Sequence, residues 1–274
     1  MVIDSHVHFW KYNKKVYPWI DDSMKLIQKD HLPGLFELTR KRNNIDGCIA
    51  VQADQSEVET KFLAELAKTY SFIRGVVGWT NLKAPDLIRK LDELRSYPSV
   101  KGLRHIVQSE ADDFLYDPAF RSGISQLPAY DLTYDVLIYP RQLKAAVDFV
   151  SAFPNQVMIL DHCAKPVIRN NEIDEWAAGI HDLASNKNLS CKLSGLLTEA
   201  KWNQWSPAEF YPYLDVVFDA FGTDRLLYGS DWPVMLVSGM YVQWKSMLEK
   251  YMEKFLPEER EAVFGLNAER IYKI

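Results

Sequence analysis

Eight times along 274 residues, a short run rich in apolar and β-branched residues gives way to an amphipathic helical stretch. The runs are VIDSHVH (2–8), IDGCIAVQ (45–52), FIRGVVGWT (72–80), VKGLRHI (100–106), LTYDVLI (132–138), QVMILDH (156–162), NLSCKLS (188–194) and RLLYGSD (225–231). Helix candidates between them include EVETKFLAELAKTY, APDLIRKLDELRSY, PRQLKAAVDFVSAF and EFYPYLDVVFDAFG. Phe62, Leu63, Leu66 and Tyr70 give the first its apolar stripe. Pro85 and Pro140 stand where helices begin, and Gly222 where one ends. Eight such units predict an α/β fold, a (β/α)8 TIM barrel with right-handed crossovers, forming a single domain over residues 1–274. The competing layout, an open doubly wound sheet, expects a glycine-rich phosphate loop after the first strand, where this chain has His6-Val7-His8.

A barrel of this kind carries its chemistry at the C-terminal ends of its strands. Those ends supply His6 and His8, Gln52, Trp79, Arg104 and His105, Tyr139 and Arg141, His162, Lys192 and Asp231. Four of the six histidines fall there, leaving His31 and His181 elsewhere. Strand alternation places His6 and His8 on one face with Asp4 behind them, and Ile3, Val7 and Phe9 on the other. Each candidate also has a structural reading. The His-x-His pair can be two satisfied core histidines, His105 can be filler beside Arg104, and Asp231 can cap a turn. Lys192 is equally an outward, solvated lysine or an inward one, and Trp79 and Tyr139 suit a core or a rim. The long stretches KYNKKVYPWIDDSMKLIQKD and LLTEAKWNQWSPAEF are expected to be loops over the site. Their Trp202 and Trp205, with Trp10, either stack on a ligand or pack the lid.

An ionised aspartate can take a proton from water, and imidazoles can polarise a carbonyl directly or hold a metal that does so. Together they point to a hydrolase that uses water directly. No serine sits in a nucleophile elbow, and Cys163 lacks the setting of a thiol nucleophile. Composition narrows the partners. Apolar residues make up 47% of the chain and the net charge of −5 is dispersed, which excludes disorder and argues against a nucleic-acid surface. Three scattered cysteines form neither a disulfide framework nor a zinc-finger spacing. With no apolar leader and no membrane-length run, the expectation is a cytoplasmic protein. Oligomeric state is not legible.

The segments DSHVHFW, VKGLRHIVQ, LDHCAKP, CKLSGLLTEA, YGSDWPV and FGLNAERIYKI together resemble the amidohydrolase superfamily. More narrowly, they resemble its sugar-lactone hydrolases, the branch of L-fuconolactonases and L-rhamnonolactonases with their pyrone-dicarboxylate and muconolactone-cleaving relatives. The likeness runs from residue 3 to the C-terminus. His-x-His alone is shared by many barrel hydrolases, whereas CKLSGLLTEAKWNQW with RLLYGSDWPV is specific.

The resemblance implies hydrolysis of a small-molecule aldonic-acid lactone in sugar catabolism, with Asp231 as the base for water. It implies that His6, His8 and His162 bind metal or contact the carbonyl oxygen. Arg104 and His105 would contact substrate, and Trp79, Tyr139 and Lys192 are further substrate-binding candidates. Binuclear members of the superfamily carry a carboxylated lysine at the end of strand 4, where this chain has Arg104-His105. Strand 5 ends in LIYPR, without the histidine usual in single-metal members. His6, His8, His162 and Asp231 could make one zinc site, or the site could work without metal. Two other readings stand beside the lactonase. One is a zinc-dependent decarboxylase of an aromatic or unsaturated acid; the other is a catalytically silent barrel that binds a sugar acid.

Overall fold

A computed structural model describes all of residues 1–274, and its backbone follows the eight alternations. The strands are β1 (Ile3–Val7), β2 (Gly47–Val51), β3 (Ile73–Gly78), β4 (Val100–His105), β5 (Thr133–Val136), β6 (Met158–Leu160), β7 (Leu189–Leu193) and β8 (Leu226–Tyr228). All pair in parallel and in chain order. The chain beyond β8 returns to β1 through a bridge between Val7 and Trp232, with His8 N donating to Trp232 O at 2.7 Å. The sheet thereby curls into a nearly closed (β/α)8 barrel.

The α-helices are α1 (Pro33–Arg42), α2 (Glu57–Thr69), α3 (Leu87–Leu94), α4 (Pro118–Ile124), α5 (Leu143–Ala152), α6 (Asp174–Ala184), α7 (Leu196–Glu199), α8 (Tyr211–Phe221), α9 (Tyr241–Tyr251), α10 (Pro257–Glu261) and α11 (Asn267–Tyr272). Local chemistry sets their ends. The Ser56 hydroxyl accepts from Glu59 N at the start of α2, and Asp117 caps α4 ahead of Pro118. Gly222 stops α8 at φ 65°. Pro85 lies just outside its helix, which begins at Leu87. No helix is long and apolar enough to cross a membrane.

Strand alternation sorts side chains into two cores. Outward residues such as Val7, Ala50, Leu103, Val136 and Leu160 join the helices in a cluster of 63 buried residues. Inside the barrel, Ile3, Ile49, Val51, Val77, Ile159 and Leu227 form a separate apolar layer. Ala268, Ile271 and Tyr272 of α11 pack into that layer, so the closing FGLNAERIYKI is a plug in the floor of the barrel. The Tyr272 hydroxyl donates toward Asp135 on β5, 3.2 Å away. Truncating the plug by Tyr272→Ala is expected to destabilise the protein by about 3–5 kcal/mol. Urea denaturation measures this, and a loss below about 1 kcal/mol would contradict the role assigned to the plug.

Candidate active site

The site begins with an irregularity in β1. Asp4 lies opposite Cys48 of β2 and Val7 opposite Ala50, so three steps on β1 match two on its partner. That extra residue is a β-bulge, and it shifts the phase of the pleat. Ile3 therefore joins the interior layer, contrary to the simple alternation that put it with Val7 and Phe9. Asp4 is displaced too. Its carboxylate accepts from the Tyr241 hydroxyl of α9 at 2.7 Å and from Ser230 N at 2.8 Å, holding the β8 loop instead of backing the histidines. Burial pushes the Asp4 pKa up to about 6, against those hydrogen bonds. His6 and His8, beyond the bulge, turn into the mouth of the barrel.

There they meet Asp231. His6 Nε2 and His8 Nε2 are 3.2 Å apart, and Asp231 Oδ1 lies 3.2 Å from His8 and 3.8 Å from His6. Asp231 is placed by its own backbone, which takes φ 61° and donates its N–H to His6 O at 2.9 Å. His8 Nδ1 lies 2.8 Å from Val51 O and donates to it, which leaves Nε2 with its lone pair inward. His6 Nδ1 lies 3.4 Å from Asp161 Oδ1 and 3.3 Å from Lys192 Nζ, while its Nε2 lies 3.2 Å from the Arg104 guanidinium. Burial lowers the His6 pKa well below the ordinary range and brings that of His162 down to about 4, so both rings are neutral near pH 7. Burial also pushes Asp231 up, but the His162 and His8 imidazoles and the Lys165 ammonium outweigh it and hold the carboxyl below its usual range.

Two imidazole nitrogens and a carboxylate oxygen thus converge. A metal ion held among them would relieve the repulsion. Zn–N bonds of about 2.0–2.1 Å in a tetrahedron put neighbouring donors about 3.4 Å apart. The observed separations of 3.2, 3.2 and 3.8 Å fit that requirement. His162 is adjacent, its ring 4.4 Å from that of His6 and its Nδ1 2.8 Å from Ser194 Oγ. A second donor grouping joins His6, His162 and Asp161. Asp161 is already committed to Lys192 and Arg104, so the set with Asp231 suits a metal better.

Beneath the imidazoles lies a buried ionic lattice. Lys192 Nζ is bonded to Asp135 and sits 3.0 Å from Asp161 Oδ1 and 3.3 Å from His6 Nδ1. Arg104 bonds Asp161 Oδ2 at 2.9 Å, reaches His6 Nε2 at 3.2 Å and binds the carbonyl of Gln52. Burial would raise the Asp161 pKa, yet Lys192, His6 and Arg104 hold it well below the ordinary range.

A cavity of about 400 Å³ opens above this floor, and His8, His162, Arg104, Tyr139 and Asp231 all line it. Other strand-end candidates stand elsewhere. His105 follows Arg104 on the same strand, so its side chain points to the opposite face, where it stacks on Phe114 and bonds Glu110 at 2.9 Å. Trp79 reaches His105 Nδ1 with its indole N–H at 3.3 Å, outside the cavity. Lys192 points inward but is fully buried below His6, so it supports the site without facing a ligand. Arg141 bonds Asp112 and the backbone at Gln108 and Glu110. Both long loops do cover the mouth, contributing Trp19 and Met24 from one and Trp202 from the other. Trp10 and Trp205 pack the lid: Trp10 is wholly buried, and the Trp205 indole bonds Ser238 O.

The strand ends did not reveal Lys165 and Glu199, which face the cavity from the turn after β6 and from the end of α7. The cue was spacing, since Lys165 lies three residues beyond His162. Gly195 is obligatory next to them. It takes φ 68°, and a Cβ there would fall 2.5 Å from the His162 ring. Lys192→Met would leave Asp135 without its cation and is expected to cost about 3–5 kcal/mol of stability. Chemical denaturation checks this, and a change under about 1 kcal/mol would show that the lattice does not need its lysine.

With the geometry in place, comparison with known proteins gives a consistent kinship. A family model described as Amidohydrolase matches residues 3–274. The L-fucono-1,5-lactonase of Burkholderia multivorans is 38% identical, over 99% of this chain and 96% of the relative. That of Burkholderia ambifaria is 35% identical, over 99% and 95%. A crystal structure of an amidohydrolase from Burkholderia multivorans with bound zinc superimposes with a TM-score of 0.94 at 38% identity, covering 100% of this chain and 99% of that one. On the full span of the match, this chain belongs to the amidohydrolase family.

Proposed function

We propose that this protein is a hydrolase that opens a sugar lactone of the L-fuconolactone or L-rhamnonolactone kind to its aldonic acid. The observation that carries the reading is Asp231 Oδ1 at 3.2 Å from His8 and 3.8 Å from His6, on the floor of a cavity. Relatives that share the whole chain and act on L-fucono-1,5-lactone give the substrate class. Asp231 is the general base: Oδ1 faces the imidazoles, and Oδ2, which accepts no hydrogen bond from the protein, receives the proton of the attacking water. His162 and Arg104 face the lactone carbonyl from the same floor and favour the negative charge that grows on its oxygen. Tyr139 binds the substrate from the wall. Zinc is the ion we assign to His6, His8 and Asp231, where it would supply Lewis acidity toward the carbonyl. A lactone is an activated ester, so base, donors and one ion suffice without a covalent intermediate.

A panel of aldonolactones, followed by proton release, tests the reading. The expected result is turnover of at least one 6-deoxyhexonolactone, and no cleavage of any by zinc-supplemented protein would overturn it. Asp231→Asn is expected to lower kcat by about 10³-fold while substrate still binds. Wild-type kcat in that variant would remove the base assignment. Elemental analysis should find close to one zinc per chain, lost in His8→Ala. Full activity in metal-free protein would place the catalysis on the side chains alone.

A further inference from the structure

Ring opening leaves one proton unassigned. When water adds to the carbonyl and the ring C–O bond breaks, the ring oxygen departs with the bonding pair and must be protonated. We propose that Lys165 donates that proton, making it a further catalytic residue; the inference rests on the lactonase reading above.

The turn after β6 argues for it. His162, Cys163, Ala164 and Lys165 take φ of 54°, 52°, 56° and 52° in succession, a left-handed run of four residues without a glycine. Such a conformation is unfavourable for L-residues and persists where the surroundings enforce it, commonly at functional sites. The turn closes through Lys165 N donating to His162 O at 2.8 Å, with a span of three residues. Residues three apart in a turn of this kind eclipse one another, so His162 and Lys165 share a face. That face is the cavity, while Cys163 and Ala164 between them are wholly buried. The strained turn therefore delivers two polar side chains to one place.

The lysine is held there by other residues of the site. Its Nζ lies 3.7 Å from Glu199 Oε1 and 5.3 Å from the centre of the Tyr139 ring. The other cations of the cavity are unsuited to the task. Arg104 is tied to Asp161, His6 and Gln52, and Arg169 stands exposed at the rim. A guanidinium also keeps its protons, whereas an ammonium can surrender one to an alkoxide. The step balances. Water oxygen bonds the carbonyl carbon as Asp231 takes its proton, and the ring oxygen leaves as the Lys165 proton reaches it. The proton on Asp231 then returns to the Lys165 amine through solvent, and the new carboxylic acid ionises.

The test uses the full-length enzyme and whichever aldonolactone the wild type turns over. Absence of wild-type turnover would sink the lactonase reading and this inference with it; the ratio of variant to wild type judges Lys165 alone. Lys165→Met should lower kcat by about 10²–10³-fold with KM changed less than about threefold. Methylammonium or ethylammonium in the buffer should restore at least tenfold of the loss. Lys165→Arg, which keeps charge but not a transferable proton, should remain at least thirtyfold slow. Circular dichroism of each variant establishes that it is folded. A loss carried by KM would make Lys165 a binding residue and overturn the proposal. So would kcat within threefold of wild type, full recovery by arginine, or failure of both amines to rescue.

Discussion

The site depends on charge buried inside the barrel. Lys192, Arg104, Asp135 and Asp161 sit between the apolar plug and the candidate site at the mouth, almost without contact with solvent. Any one of them alone there would be prohibitively costly, and together each satisfies its neighbours. Their effect on function is directional. Asp161 faces His6 Nδ1, and so presents the opposite nitrogen to His8 and Asp231. The Tyr272 hydroxyl approaches Asp135 from below, which links the C-terminal segment to the ionic lattice beneath the imidazoles.

Above this lattice, departures from regular backbone aim the side chains. The bulge in β1 inverts the pleat between Asp4 and His6. Left-handed residues after β6 and β8 turn His162 and Asp231 toward the axis. A regular strand would continue to alternate in and out, and could not place consecutive turn residues over a common point. The irregularities are thus the means by which a standard barrel carries a particular site.

Much of this was legible in the sequence. Period-two runs alternating with amphipathic helices identified the barrel, because burial of both cores imposes those periods. His6, His8, His162 and Asp231 were legible because polar residues that end apolar strands are conspicuous. Arg104 and Tyr139 also reach the cavity as read. His105 was not separable from Arg104 by strand-end logic, although alternation on one strand forbids both from facing inward. The swap of Ile3 and Asp4 was hidden, since a bulge leaves no signature in DSHVHFW. Lys192 could not be oriented until Asp135 and Asp161 appeared beside it. Lys165 lies in a turn whose handedness the sequence does not show, and Glu199 ends the short helix α7 beyond the end of β7.

In the proposed mechanism Asp231 activates water instead of attacking the lactone itself. Single turnover in H₂¹⁸O, with enzyme in excess over lactone, separates the two. Activation of water by Asp231 predicts one ¹⁸O in the carboxylate of the first product formed and none in the peptide bearing Asp231. Unlabelled first product, with ¹⁸O recovered in that peptide, would show a covalent acyl-aspartate and contradict it.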